Sequence, residues 1–268
     1  MPDRPGAWHC GVMKVTVLGC TGSMCGPDAA ASGFLVESGD GPDDAAFVMD
    51  FGPGVLGELQ KYRDPASLDI VLSHLHADHC LDIPGLLVWR RFHPTAPSAR
   101  RNLLWGPADT AGRLGHASAD TGDGFEDLSD TFDIRSIEER VPFDVAGLTI
   151  EAFPMVHPIE AWGFRITGPN GTVAYTGDTG WTDEVVELAR GADVLICEAT
   201  WCGDGENRPP DMHLSGAEAG RAATLAGTKK LVLTHIPPYG DPEAAVAAAR
   251  AEYDGPVELA RPGMVIEP

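Results

Sequence analysis

The sequence predicts a single layered α+β domain, and three observations support this class. The first half contains short apolar and β-branched segments separated by Gly-rich turns, as is typical of β-strands. The last third alternates helical and strand-like segments, which indicates strands joined by helices. No linker, low-complexity tract or internal repeat divides the 268 residues, so we expect one domain with one core.

The first half predicts four strands and two helices. The strands are expected at Lys14–Leu18, Gly33–Glu37, Ala46–Asp50 and Leu68–Ser73. One helix is expected after Pro53 and another from about Leu81 to Phe92. Residues 93–130 are polar and rich in Gly and Asp, and they predict no clear element. Residues 1–12 precede the first strand, so we expect an N-terminal extension followed by a domain at 13–268.

The second half predicts five further strands and two capped helices. The strands are expected at Leu148–Phe153, Gly163–Thr167, Thr172–Thr176, Val194–Cys197 and Lys230–Thr234. A helix over Thr182–Arg190 is followed by Gly191, which is typical of a helix C-terminus. Ser215 with Glu218 three residues later forms a capping-box pattern and opens a helix that ends at Gly227.

The charge of the chain limits its partners. Asp and Glu number 40 against 19 Lys and Arg, which gives a formal charge of −21. Such a chain repels long nucleic acids and anionic membranes unless positive charge is concentrated locally. No apolar segment approaches the roughly 20 residues that span a bilayer, and no signal-type core precedes the first strand. We therefore expect a cytoplasmic protein with a small-molecule substrate.

The segment SHLHADHC places four ligand-type side chains within six positions: His74, His76, Asp78 and His79. If the segment is extended, the first three point to one side, and a turn at Asp78–His79 brings His79 round. A single histidine at a strand end is more often a core or surface residue. Four titratable groups together are costly to bury without a cation, so the cluster predicts a metal site. Histidines with an aspartate suit Zn²⁺, with Mn²⁺ or Fe²⁺ as alternatives.

One short loop cannot complete two coordination shells, so further ligands are expected from distant segments. Three later positions follow strands or lie in Gly or Pro turns: His157 in FPMVHP, Asp178 in TGDT and His235 in LTHIPP. The sequence VLSH at 71–74 recurs as VLTH at 232–235. Two buried strands thus each end in a histidine, at the strand end where α/β architectures place their sites.

These motifs, in this order, resemble those of the metallo-β-lactamase superfamily. The resemblance begins at the segment VTVLGCTGS and covers nearly the whole chain. The resemblance implies an αββα sandwich with a dinuclear metal site along one edge. It implies that one metal is held by His74, His76 and His157, that the other is held by Asp78, His79 and His235, and that Asp178 bridges them. Asp50, in VMDFGPG, resembles the carboxylate that orients ligand imidazoles, although an ordinary turn residue is an equally good interpretation.

A pair of metals indicates hydrolysis, because it can lower the pKa of a bridging water and stabilise both oxygens of an in-line displacement. We predict that Asp78 is both a metal ligand and a catalytic residue. An aspartate at 178 fits phosphodiesterases and glyoxalase II-like thioesterases better than zinc β-lactamases.

Two further residues favour a phosphodiesterase. Glu198 in EAT and His213 in HLS resemble the EAT and HST segments of tRNase Z-type enzymes. A basic alkoxide needs a proton as the P–O bond breaks, and a positioned histidine contributes about 10²–10⁴-fold. We therefore predict that His213 is the general acid and that Glu198 orients it. The alternative is a histidine packed at a helix start beside Ser215.

The length of the segment between His157 and Asp178 indicates the size of the substrate. True tRNase Z enzymes insert a basic arm between the ligands corresponding to His157 and Asp178, whereas here the second lies only 21 positions after the first. WRRFHP, PDMHLSGAEAG and LTHIPP resemble arm-less actinobacterial relatives that include a class II cyclic-AMP phosphodiesterase. The resemblance implies a homodimer that hydrolyses 3′,5′-cyclic nucleotides. The alternatives are a tRNase Z-like RNA 3′-processing nuclease, a glyoxalase II-like thioesterase and a non-enzymatic scaffold.

Weaker signals surround the predicted site. The one local concentration of positive charge comprises Arg90, Arg91, Arg100 and Arg101. A solvated helix face is the leading interpretation, and attraction of a phosphate or of a second subunit is the alternative. Trp181 and Trp201 follow the TGDT and EAT motifs, where they could wall the pocket or stack on a base, or simply belong to the core.

Overall fold

The computed structural model describes residues 11–39, 41, 44–98, 100–203 and 208–268, and its strands form two seven-stranded sheets. The strands of the first half are β1 (Lys14–Gly19), β2 (Gly33–Glu37), β3 (Ala46–Met49), β4 (Asp69–Val71), β5 (Asn102–Gly106) and β6 (Phe132–Ser136). The others are β7 (Phe143–Val145), β8 (Leu148–Pro154), β9 (Trp162–Gly168), β10 (Gly171–Tyr175), β11 (Val194–Glu198), β12 (Lys230–Thr234), β13 (Val257–Leu259) and β14 (Val265–Ile266).

The two sheets follow the two halves of the chain. The first has the order β14-β1-β2-β3-β4-β5-β6, and the second has the order β13-β12-β11-β10-β9-β8-β7. Strands β3 to β6 are parallel to one another, as are β10 to β13. The last strand, β14, returns to the first sheet and pairs antiparallel with β1. This exchange ties the second half of the chain to the first.

Helices cover the outer face of each sheet. In chain order they are α1 (Val55–Leu59), α2 (Ala77–Cys80), α3 (Ile83–Phe92), α4 (Thr110–Ala117), α5 (Asp183–Ala189), α6 (Gly216–Ala226) and α7 (Pro242–Glu252), with a short 3₁₀ helix at Pro65–Ser67. Side chains of α1, α3 and α4 share one core with the first sheet. Side chains of α5, α6 and α7 share another with the second sheet. A third core lies between the sheets, so the layers are α, β, β and α.

Successive side chains of a buried strand point to opposite faces of its sheet, so each strand contributes to two of these cores. In β3, Phe47 and Met49 pack between the sheets, whereas Val48 packs under the helices of the first sheet. Both faces of the strand are therefore dry, which explains why it reads as a continuous apolar run. The αββα sandwich implied by the family resemblance is confirmed.

Most predicted elements are present within two residues of their expected bounds. The Ser215 capping box forms both of its hydrogen bonds, and Gly227 ends α6 in the left-handed conformation. The segment 93–130 is more ordered than expected, since it contains β5 and α4. Among the described residues, the sequence prediction also missed β6, β7, β13, β14 and α7. The expected N-terminal extension lies largely outside the described residues, because residues 1–10 are not among them.

Among the described residues, no helix combines the length and the apolar character that a bilayer crossing requires.

The solvated-helix interpretation of the arginine cluster is wrong for Arg90. This side chain is only 1% exposed. Its guanidinium donates to the carbonyl oxygens of Ala66 at 2.5 Å, Arg100 at 2.7 Å and Thr131 at 3.2 Å. It also donates to Oδ1 of Asn102 at 3.2 Å. The chain segments before β4, β5 and β6 are thus joined by one buried cation.

The neighbouring Arg91 is held at the surface by acidic side chains. It pairs with Glu126 at 2.5 Å and with Asp130 at 2.7 Å. Both arginines therefore have structural partners within the chain.

Replacing Arg90 by methionine is expected to lower the free energy of unfolding by about 3 kcal/mol. Methionine limits the cavity, but it leaves the Ala66 carbonyl oxygen without a donor and removes the charged donor of three further hydrogen bonds, at about 1–3 kcal/mol each. Chemical denaturation measures the change. The matched control is Arg101→Met, which removes an exposed side chain with one 3.4 Å hydrogen bond and should change stability by less than about 0.5 kcal/mol. Equal effects in the two variants would contradict the structural role of Arg90.

Candidate metal centre

The candidate site lies where strands of both sheets end. Five predicted residues occupy these positions: Asp50 directly after β3, His74 after β4, Asp178 after β10, Glu198 as the last residue of β11 and His235 directly after β12. Parallel neighbouring strands end at the same edge of a sheet, so the topology brings these side chains together. His157, after β8, and His213, before α6, join them from loops.

The backbone turns sharply at two of these strand ends. Asp50 has φ 58° and His235 has φ 59°, both in the left-handed region that few non-glycine residues adopt. Such a conformation costs about 1–3 kcal/mol and persists only where the surroundings impose it. Each strand therefore ends at the residue that carries the functional side chain.

The segment after β4 differs from the extended arrangement expected from the sequence. His76 is extended, but residues 77–80 form the short helix α2, so Asp78 and His79 lie on a helical turn. This turn rests on the loop after β3. A Cβ atom at Gly52 would lie 1.9 Å from the carbonyl oxygen of Asp78, so only glycine permits this approach.

The first group of donors comprises His74, His76 and His157, whose ligand atoms lie within 4.8 Å of one another. Nε2 of His157 is 2.9 Å from Nδ1 of His76. Nε2 of His74 is buried and has no hydrogen-bond partner. This is the first metal set implied by the family resemblance.

The second group comprises Asp78, His79, Asp178 and His235, and all four are buried. Nε2 of His235 is 3.2 Å from Nε2 of His79 and 3.0 Å from Oδ2 of Asp78. The Asp178 carboxylate is 3.3 Å from both of these imidazoles and 3.6 Å from Nε2 of His74. Asp178 therefore lies between the two groups, as a bridging ligand would.

The hydrogen bonds around the imidazoles fit metal ligands. Nδ1 of His79 lies 2.8 Å from the carboxylate of Asp50, and Nδ1 of His157 lies 2.9 Å from the carbonyl oxygen of Met212. These acceptors take the ring proton, so Nε2 of each ring carries a lone pair into the site. Lone pairs and carboxylates that face one another need a cation between them. The unpartnered Nε2 of His74 and Oδ1 of Asp178 point to the same requirement.

The electrostatics of the cluster favour positive charge. Burial by itself raises the pKa of a carboxyl group, but His235, His79 and His74 lower the pKa of Asp178 well below its usual range. Burial also lowers the pKa of an imidazole, yet Asp178 and Asp50 raise the pKa of His79 well above its usual value. The carboxylates thus draw positive charge into the interior of the cluster, and divalent cations would supply it.

Asp50 forms hydrogen bonds that hold the site residues of the first sheet in place. Its carboxylate is fully buried and accepts hydrogen bonds from the Ser73 backbone N–H at 2.7 Å and the Ser73 hydroxyl at 2.8 Å. It also lies 2.8 Å from Nδ1 of His79 and from the Tyr175 hydroxyl. Ser73 Oγ is 3.0 Å from Nδ1 of His74. Asp50 therefore orients two imidazoles and is not an ordinary turn residue.

Glu198 and His213 form a second polar unit beside the donors. Nδ1 of His213 lies 2.9 Å from Oε1 of Glu198. The His213 ring centroid is 5.4 Å from those of His157 and His235, so it stands next to both donor groups. Among the described residues, Nε2 of His213 makes no hydrogen bond and can serve a substrate.

The surroundings of His213 favour its protonated form. Burial by itself lowers the pKa of His213, but the charge and hydrogen bond of Glu198, helped by Asp178 and Asp78, raise it to about 9. A nearby divalent cation would lower this pKa towards neutrality, the range in which a group can act as an acid.

The two tryptophans have different surroundings. The Trp201 ring lies edge-on to His213 with centroids 5.5 Å apart, so it forms a wall next to this residue. Trp181 packs against the core under α5, α6 and α7, and the guanidinium of Arg221 lies 4.9 Å over its ring. Trp181 thus fits the core interpretation.

Four supporting groups were missed by the sequence interpretation: Ser73, Tyr175, Thr200 and the carbonyl of Met212. Ser73 and Thr200 stand inside the LSH and EAT motifs, so their position beside a ligand and beside Glu198 was a usable signal. Tyr175 and Met212 carried no signal, because their roles depend on tertiary contacts.

A comparison with known families decides what this arrangement is. A family model described as a beta-lactamase superfamily domain matches residues 46–236. The chain belongs to this superfamily. A Bacillus subtilis member, the probable metallo-hydrolase YhfI, is 32% identical over 258 residues, which cover 95% of this chain and all of that protein. The crystal structure of YhfI superposes with a TM-score of 0.83, at 29% identity, over 96% of this chain and 100% of YhfI.

Two other similar proteins extend the comparison. An uncharacterized protein of Mycobacterium tuberculosis is 52% identical over 246 residues, which cover 91% of this chain and 88% of that protein. Human tRNase Z, short form, is 25% identical with a TM-score of 0.68, over 95% of this chain and 99% of that structure. The predicted family is confirmed, and the protein is a metallo-hydrolase with a His/Asp cluster able to bind metals.

Proposed function

We propose that this metallo-hydrolase is a phosphodiesterase that opens 3′,5′-cyclic nucleotides, cyclic AMP in particular, to 5′-nucleotides. The observation that carries the proposal is His213, which Glu198 holds 5.4 Å, centroid to centroid, from a histidine of each donor group. Phosphodiester cleavage needs such an acid, because the leaving 3′-oxygen is strongly basic.

Two divalent cations, with zinc favoured and manganese or iron as alternatives, would occupy the donor groups. His74, His76 and His157 would hold one, Asp78, His79 and His235 the other, and Asp178 would touch both. When bound, they would lower the pKa of a water molecule and neutralise charge on the attacking and leaving oxygens.

The remaining chemistry belongs to the protein's own side chains. Nε2 of His213 gives its proton to the 3′-oxygen as the P–O bond breaks. Glu198 holds the other ring nitrogen at 2.9 Å, so it fixes the ring orientation and stabilises the protonated form. Trp201 limits movement of the ring from one side.

The hairpin between His157 and Asp178 favours a small substrate. Strands β9 and β10 fill this interval, and only Pro169 and Asn170 connect them. No arm extends from it to grip a tRNA, and the net charge of −21 opposes binding of a polyanion. A homodimer and a cytoplasmic location, both expected from the sequence, belong to the same proposal.

A substrate comparison tests the proposal. The zinc- or manganese-loaded protein should convert cyclic AMP to 5′-AMP, with weaker or no activity on pre-tRNA and on S-lactoylglutathione measured at the same enzyme concentration. Preferred cleavage of pre-tRNA would favour the RNA-processing alternative, and preferred thioester hydrolysis would favour a glyoxalase II-like enzyme. Either outcome would overturn the assignment to cyclic nucleotides.

A further inference from the structure

Among the described residues, the hydroxyl of Thr200 is the only group that forms hydrogen bonds to both His235 and Glu198. Its Oγ1 lies 2.8 Å from Nδ1 of His235, 2.8 Å from Oε2 of Glu198 and 3.0 Å from the carbonyl oxygen of His235. Thr200 is 7% exposed, and both partners are buried more completely. The other oxygen of Glu198, Oε1, accepts from the Thr179 N–H at 2.7 Å and faces Nδ1 of His213.

The chemistry of these groups fixes the direction of each hydrogen bond. The hydroxyl has two neighbours that can only accept, the ionised carboxylate of Glu198 at 2.8 Å and the carbonyl oxygen of His235 at 3.0 Å, so its single proton goes to these oxygens and not to the imidazole. Oγ1 is then left with lone pairs, and the proton between it and His235 must come from Nδ1 of the imidazole. A neutral imidazole with its proton on Nδ1 carries a lone pair on Nε2, the atom that faces Asp78 and His79.

We propose that Thr200 is a positioning residue that holds His235 in its metal-binding tautomer and links it to the Glu198–His213 pair. The inference rests on the proposed role of His235 as a metal ligand. Glu198 thereby supports two functional imidazoles, His213 directly and His235 through Thr200. Asp50 serves the first sheet in the same way, holding His79 directly and His74 through Ser73.

A neighbouring threonine provides a matched control. Thr234 directly precedes His235, is 2% exposed, and its Oγ1 has no hydrogen-bond partner. Thr234→Val and Thr200→Val each replace one buried hydroxyl by a methyl group close to the same ligand. Only the second removes the hydrogen bonds of the hydroxyl to His235 and Glu198, so a difference between the two measures what those bonds contribute.

Zinc titration of the metal-free protein tests the proposal without substrate. Thr200→Val is expected to weaken binding of one of the two zinc equivalents by about 10–100-fold, as losses of outer-sphere partners do. Thr200→Ser, which keeps the hydroxyl, and Thr234→Val should retain wild-type affinity. Unchanged affinity in Thr200→Val, or equal loss in Thr234→Val, would overturn the proposal.

Nitrogen NMR of the zinc-loaded wild-type protein gives a readout that needs no variant. The ring nitrogens of His235 should show a proton on Nδ1 and none on Nε2. A proton on Nε2 would overturn the role of Thr200, even if the protein binds zinc and hydrolyses cyclic AMP. Conversely, the expected tautomer with no cyclic AMP hydrolysis would leave the role of Thr200 supported and refute the proposed substrate.

Discussion

Replacing His213 by alanine is expected to lower kcat for cyclic AMP by about 10²–10⁴-fold while both zinc equivalents stay bound. The variant loses the proposed proton donor for the 3′-oxygen, but it leaves the seven ligands implied by the family resemblance in place. Zinc content by mass spectrometry and the rate of 5′-AMP formation together measure the two parts of the prediction.

The leaving group provides an internal control for His213. Bis(p-nitrophenyl) phosphate releases a weakly basic phenolate that needs no proton, so its hydrolysis should fall far less in His213→Ala than that of cyclic AMP. The matched control is His116→Ala, which removes an exposed histidine and should leave both rates unchanged. An equal loss on both substrates would show that His213 acts on the metal site or the fold and not as the acid.

Asp178→Asn is expected to have the largest effect on metal binding and activity. The asparagine keeps the shape of the side chain but removes the negative charge that lies 3.3–3.6 Å from His79, His235 and His74. Two cations held close together would then lose their shared anionic ligand. We expect fewer than two zinc equivalents per chain and a loss of activity beyond the 10–100-fold typical of outer-sphere changes.

A nearby carboxylate provides the control for this variant. Asp183 is exposed on the first turn of α5, so Asp183→Asn removes the same charge from the protein without touching the cluster. It should keep full zinc content and activity. If Asp178→Asn binds two zinc equivalents with wild-type affinity, Asp178 does not bridge the metals.

Much of the fold was predictable because its signals are local. Continuous apolar runs marked the central strands, and Ser215, Glu218 and Gly227 marked both ends of α6. Strands β13 and β14 escaped prediction because they are three and two residues long. Such short segments carry too little periodicity, and their pairing partners are distant in the sequence.

The candidate ligands were predictable because metal binding needs rare side chains in fixed motifs, and the family resemblance linked the distant ones. Their hydrogen-bond partners were harder to predict, since common residues serve in this role. Thr200 and Thr234 illustrate the difficulty, because both are buried threonines next to motif residues. One bonds to His235 and Glu198, whereas the hydroxyl of the other has no partner. Only the tertiary arrangement separates them.

Arg90 illustrates the opposite error. Two adjacent arginines on a helix in an acidic chain read as solvated surface, yet Arg90 is buried. Its partners are mostly backbone carbonyl oxygens, which have no signature in the sequence.

Anomalous X-ray scattering at the zinc absorption edge, from crystals of the zinc-loaded protein, tests the central claim most directly. Two peaks per chain are predicted, one among His74, His76 and His157 and the other among Asp78, His79 and His235, with Asp178 in contact with both. A single peak, or peaks outside these donor groups in protein that still hydrolyses its substrate, would contradict the dinuclear account.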